Sequence, residues 1–183
     1  VPALSGRVVD QAKLFSSEDV RGVEAAIVAL EQATGGQMVV WTIPALDGDV
    51  IENVGIRAAD KWKVGNKGKD DGAILLIAPK DRKFRLEIGY GWEGPVNDAR
   101  AGDILRGMGD YFRDGRYGAG TEYAVRQVQS FVTGKPAAEA HPPVQSKASK
   151  GGGNPIVGLV ITFLCVLTLG MLISRGRPGG GGG

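Results

Sequence analysis

Two short apolar runs, 37–43 (QMVVWTI) and 73–78 (AILLIA), constrain this chain more than any other feature. Both are too short for a typical buried helix, and the first is rich in β-branched and aromatic residues. Each therefore reads as a strand buried on both faces. Between them Ile51, Val54, Ala58 and Trp62 return to one side of a helix. A strand, a helix and a second strand in succession predict a parallel pair joined by a crossover. After the turn at 79–81, Phe84, Leu86 and Ile88 alternate with Arg85 and Glu87. That alternation predicts a half-exposed strand, antiparallel to its predecessor because the turn is tight. The expected sheet is mixed and the fold class is α/β.

The flanking segments supply the remaining elements. Residues 4–10 (LSGRVVD) read as extended. Ser16 and Asp19 have the spacing of a capping box. Val20, Val23, Ile27 and Leu30 then follow at helical intervals until Gly35 and Gly36 stop the helix. A third helix carries Ala101, Ile104, Leu105, Met108 and Phe112, and leads through a turn at 113–120 to a fourth with Ala124, Val128, Phe131 and Val132. These elements place one α/β domain over residues 1–135.

The rest of the chain differs in character. Residues 136–155 are rich in Pro, Ala, Ser, Gly and Lys and read as a flexible linker, because they offer little apolar surface to offset ordering entropy. Residues 156–174 (IVGLVITFLCVLTLGMLIS) hold no charged side chain. As a helix they would measure about 28 Å, close to the hydrocarbon thickness of a bilayer, so a single transmembrane helix is expected. Residues 175–183 form a Gly-rich tail. Lys147 and Lys150 precede the span and Arg175 and Arg177 follow it, so charge does not orient it. The chain begins with Val; the missing initiator Met suggests a removed signal peptide, with the domain outside the cytoplasm, periplasmic or extracellular.

Composition excludes several function classes. The only Cys, Cys165, lies in the apolar span, and the only His, His141, lies in the linker. Neither a disulfide framework nor a Cys-based zinc site can be built, and a Ser-His-Asp hydrolase is disfavoured. The basic balance, pI ≈ 8.7, comes from the tail, where four Lys and Arg face one Glu. The domain itself is nearly neutral, and no nucleic-acid partner is expected.

Connectivity also indicates where chemistry would gather. The start of the second apolar strand and the end of the antiparallel one fall at the same sheet end. Two Gly-rich loops meet there, KDDG (69–72) and GYGWEGPVND (89–98). They carry Asp70, Asp71, Glu93, Asn97 and Asp98, whereas Asp47 and Asp49 belong to the opposite end. Asp70, Asp71, Glu93 and Asp98 suit a hard divalent cation, because such ions take several oxygen ligands. Crowded carboxylates would repel one another without an ion, so neutralising Asp71 or Asp98 is expected to leave the apo domain folded and to relieve that repulsion. The same residues also read as turn formers, with Asp98 as a helix cap. GxGxxG at 89–94 follows an antiparallel strand and so does not read as a dinucleotide loop. Lys67, Lys69 and Arg113 are the candidate phosphate clamps. Trp92 reads as a lid or a partner anchor.

GRVVDQAKLFS (6–16), WTIPALDG (41–48), residues 61–98 and YFRDGRYGAG (111–120) together resemble the TPM domain family, including its YgcG-like membrane-anchored members. Trp92 stands where Leu is more usual, and the terminal glycines are fewer than in the longer family tails. The resemblance implies a three-layer α/β/α sandwich, export, and a membrane anchor. It also implies divalent-cation binding, Ca2+ among the ions with Mg2+ or Mn2+ as others, with Asp70, Asp71, Glu93 and Asp98 matching the acidic positions. The function expected is an interaction module supporting assembly or turnover of membrane protein complexes, with membrane proteins as partners. The alternative is a metal-dependent phosphatase acting on phosphoesters.

Overall fold

Strand β3 (Gly72–Ala78) is buried along its whole length, and its side chains divide between two separate cores. Ala73, Leu75 and Ile77 enter one; Ile74, Leu76 and Ala78 enter the other. Strand β2 (Gln37–Thr42) divides the same way, with Met38 and Val40 on the first face and Val39 and Trp41 on the second. Full burial of each Leu or Ile contributes about 1.5–3 kcal/mol. A one-residue slip would exchange every side chain between the faces, so the pattern pins the register. Strand β1 (Val8–Asp10) and strand β4 (Lys83–Ile88) complete a sheet of order β1-β2-β3-β4. β1 and β3 run parallel to β2, and β4 runs antiparallel to β3. This is the mixed sheet expected from connectivity.

The computed structural model describes residues 1–137. The transmembrane helix at 156–174, the tail at 175–183 and all but the first residues of the linker at 136–155 lie outside the described residues. Among the described residues no helix is long and apolar enough to cross a membrane.

Helices cover both faces of the sheet, unequally. Helix α1 (Ser17–Thr34) packs Val23, Ala26, Ile27 and Leu30 into the first core. Its capping box forms in full between Ser16 and Asp19, and Gly35 ends it at φ 76°. Helix α4 (Asp98–Arg113) adds Ile104 and Met108 to that core, and helix α5 (Tyr117–Thr133) adds Ala124, Val125 and Val128. Helix α2 (Ile51–Trp62) covers the second face alone, through Ile51, Val54 and Ala58. Trp62 meets Trp41 there with ring centroids 5.1 Å apart.

Two local expectations are corrected. The 89–98 loop contains one helical turn, α3 (Tyr90–Glu93). Helix α5 starts at Tyr117, inside the segment read as a turn from its glycines. Those glycines serve helix packing instead. A Cβ on Gly118 would lie 1.9 Å from Asp19 Oδ1, and one on Gly120 would lie 2.8 Å from the Phe112 ring. The absence of side chains there lets α5 press against α1 and α4.

Because both cores close within the described residues, a fragment ending at Lys135 is expected to fold by itself. Near- and far-ultraviolet circular dichroism should report one coincident unfolding transition. A broad, non-cooperative melt would move the domain boundary.

Candidate functional site

The hairpin of β3 and β4 brings the two acidic loops together. Ala73 pairs with Ile88, so the loop entering β3 and the loop leaving β4 share one sheet end. The Gly89 N–H donates to the Gly72 carbonyl at 2.8 Å, and the Gly91 N–H to the Asp70 carbonyl at 3.0 Å. At the opposite end the Leu46 N–H donates to Asp81 Oδ2 at 2.9 Å, joining the 44–49 loop to the β3–β4 turn.

The glycines of the site are required by backbone contact. A Cβ on Gly89 would stand 2.2 Å from the Asp70 carbonyl oxygen, and one on Gly91 would stand 2.1 Å from that of Lys69. The spacing that superficially matched a dinucleotide loop therefore locks two loops to each other.

Asp71 is the most constrained of the candidate ligands. It is buried, whereas Asp70, Glu93 and Asp98 are exposed. Its Oδ1 accepts the Asn66 backbone N–H at 2.6 Å, and Asn66 Nδ2 donates to Oδ1 and Oδ2 at 3.1 and 3.0 Å. Asn66 Nδ2 also donates to the Gly35 carbonyl at 2.7 Å, tying this loop to the end of α1. Burial pushes the Asp71 carboxyl up, but the hydrogen bonds from Asn66 and from its own backbone, with the Lys69 charge, outweigh that and hold it below the usual range. Repulsion from neighbouring carboxylates would have raised it. The expectation that neutralising Asp71 relieves the apo domain is therefore corrected: this charge is stabilised where it sits.

The expectation for Trp92 is corrected. Trp92 is only 4% exposed and belongs to the first core, where its ring leaves no room for a Cβ on Gly36. It is neither a lid nor an anchor. Tyr90, two residues earlier, is 81% exposed at the same sheet end. No sequence pattern separated the two, since a four-residue turn has too little periodicity to reveal its buried side.

Asp98 is not the cap of α4. Asn97 takes that position, its side chain accepting the Arg100 N–H at 3.1 Å. Asp98 and Glu93 instead line a groove of ≈ 750 Å³ beside β4, together with Glu52, Arg85 and Glu87. Arg85 and Glu87 form an ion pair. The Arg85 guanidinium is held above its usual value, first by the hydrogen bond to Glu87, with the charges of Glu87, Glu52 and Asp98 adding to it. Among the described residues no three acidic side chains meet at one point as a ready metal cage. Lys67 and Lys69 lie on the 64–72 loop. Arg113 ends α4, about 24 Å of helix away from the loop where α4 begins, and pairs with Asp110. The three do not form one clamp.

Together these features define an α/β domain on a four-stranded mixed sheet with backbone-locked acidic loops at one end. The sequence profile of the TPM domain matches residues 8–131, and the chain belongs to that family. A solution structure of the N-terminal domain of a protein from P. gingivalis is similar at 30% identity and TM-score 0.65, covering 72% of this chain and 85% of that one. The N-terminal domain of cg2496 from Corynebacterium glutamicum shares the fold at 18% identity and TM-score 0.56, covering 78% of this chain and 88% of its own. BA42 from Bizionia argentinensis shares it at 16% identity and TM-score 0.59, covering 68% and 86%. No functionally curated protein matches the chain.

The Asp71 arrangement has a measurable consequence. Its folded-state value is depressed below the unfolded value of about 3.9, so its stabilisation is present above that pH and is lost as pH falls through the folded value. Asp71→Asn would turn an amide donor toward Asn66 and should destabilise the domain by about 1–3 kcal/mol at neutral pH. The gap between wild type and variant in urea titrations should narrow as the pH drops below about 4. A gap unchanged by acid would remove the charge from the explanation.

Proposed function

We propose that this protein is a divalent-cation-binding interaction module, exported and anchored in a membrane through residues 156–174. It would support the assembly or turnover of membrane protein complexes, with membrane proteins as partners. The observation that carries the reading is the meeting of two backbone-locked loops bearing exposed carboxylates on Asp70, Glu93 and Asp98, none of them in an ion pair among the described residues. Asp71 acts behind them as a positioning residue that holds the 64–72 loop. The exposed Tyr90 on the same end supports the interaction half, since a Tyr on a fixed backbone is a favourable contact anchor.

The donor chemistry fits a hard cation, being oxygen throughout. The geometry is open, because no three acidic groups converge among the described residues. Backbone carbonyls and water would complete the coordination. An affinity on the order of 10⁻⁴–10⁻³ M follows for Ca2+, the range of extracellular modules. Bound cation would bridge the two loops and fix them for a partner.

The alternative, a metal-dependent phosphatase, would use the same ion to polarise a phosphoryl oxygen. Lys67 and Lys69, on the loop that carries Asp70, favour it; the distant Arg113 does not. Hydrolysis of a generic phosphoester by the purified protein, abolished in Asp70→Asn, would select this reading.

Ca2+ at one hundred times its Kd should stabilise the domain by about 2.7 kcal/mol. Asp70→Asn and Asp98→Asn should each remove most of that gain while leaving the ion-free melt nearly unchanged. A melting temperature unmoved by Ca2+, Mg2+ or Mn2+ at that hundredfold excess, on the order of 10–100 mM for the Kd range above, would end the cation reading. The anchor is tested separately: full-length protein should stay with the membrane pellet in alkaline carbonate, and its release would count against the span.

A further inference from the structure

Strand β4 is the last strand of the sheet, and its outer edge is unpaired among the described residues. Gly89 and Gly72 are joined by a ladder hydrogen bond, so hydrogen-bonded pairs recur at Glu87 with Ile74, Arg85 with Leu76 and Lys83 with Ala78. The N–H and C=O groups of Phe84, Leu86 and Ile88 therefore point away from β3. No backbone group of the described residues bonds them. Beside this edge runs the ≈ 750 Å³ groove, bounded by the first turns of α4 and by Glu52 of α2.

The two sides of the groove differ in chemistry. On the α4 side lie Phe84, Ile88 and Leu105, all half-buried and apolar. On the α2 side and at the loop end lie four carboxylates, Glu52, Glu87, Glu93 and Asp98, against one guanidinium, Arg85, already paired with Glu87. An incoming strand would satisfy the free backbone groups, and its alternate side chains would face these two sides in turn.

We propose that the open edge of β4 receives an extended basic segment of a partner protein, added to the sheet as a further strand. Lys or Arg at every second position would face Glu52 and Glu87, and small apolar residues would lie over Phe84 and Ile88. A second copy of this chain is the poorer occupant. Pairing β4 with itself would bring together two grooves that each hold four carboxylates against one guanidinium, a net repulsion that a basic segment avoids. The high value of the Arg85 guanidinium, to which Glu87, Glu52 and Asp98 contribute, records the same negative field. This inference rests on the interaction half of the proposed function and is independent of the cation half.

The test uses the full chain in chelator at low salt, with a short acetylated peptide alternating Lys and Val and a control carrying Glu in place of Lys. With the Lys peptide at about ten times its Kd, amide exchange at Phe84, Leu86 and Ile88 should slow roughly tenfold. Exchange at Arg85 and Glu87, already in the ladder, should hardly change. Glu52→Lys, on an exposed helix position, should weaken binding about threefold, and added salt should abolish the difference. Absence of binding, or equal binding of the Glu peptide, overturns the proposal. Binding that protects only residues 89–98 overturns the β4 edge while leaving the interaction reading intact. Self-association that protects the same three amides without peptide would make a second copy the occupant.

Discussion

Strand β3 has no polar side chain on either face, and the rest of the domain is arranged to keep water from it. Its neighbours β2 and β4 satisfy its backbone, α2 closes one side, and α1, α4 and α5 close the other. Burial on both sides explains why the chain commits three helices to one face. Those helices also cover Leu86 of β4 and Met38 and Val40 of β2. It also explains why glycines accumulate where β3 begins and where α5 crosses its neighbours. Close packing leaves no volume for a Cβ at Gly72, where Val64 O would be 1.9 Å away, nor at Gly118.

The acidic sheet end depends on that strand as well. Gly72 opens β3 and Gly89 follows β4, so the hairpin carries both loops to one place regardless of their side chains. Within the loops the carboxylates then divide. Asp71 turns inward to Asn66 and maintains the loop, while Asp70, Glu93 and Asp98 face water. A buried, hydrogen-bonded acid beside exposed ones gives a rigid loop with chargeable positions on its outside. The same economy appears in α3, where Trp92 fills the core and Tyr90 projects into solvent. Site rigidity here comes from backbone packing and one buried side-chain network.

Residues with strong periodicity are legible in the sequence. The 37–43 and 73–78 runs, the helical spacing of Val23, Ile27 and Leu30, the Ser16–Asp19 box and the 84–88 alternation each correspond to an observed element. Connectivity alone placed the acidic loops at a common sheet end. Less was legible where a residue has two physical uses. Gly118 and Gly120 have the composition of a turn but the role of helix contacts, and Asn97 took the capping position expected of its neighbour Asp98.

The division has a physical reason. Sequence by itself determined what depends on local period and chain direction: strand and helix identity, parallel against antiparallel pairing, and which loops share an end. Those follow from side-chain spacing and the length of each connection. Tertiary structure alone decided what depends on distances between remote residues. It put Asn66 against Asp71, pressed Gly118 onto Asp19, buried Trp92 rather than Tyr90, and separated Arg113 from Lys67 and Lys69 along the length of α4. Hydrogen bonding and packing act over a few ångströms in space, and a one-dimensional pattern does not contain that separation.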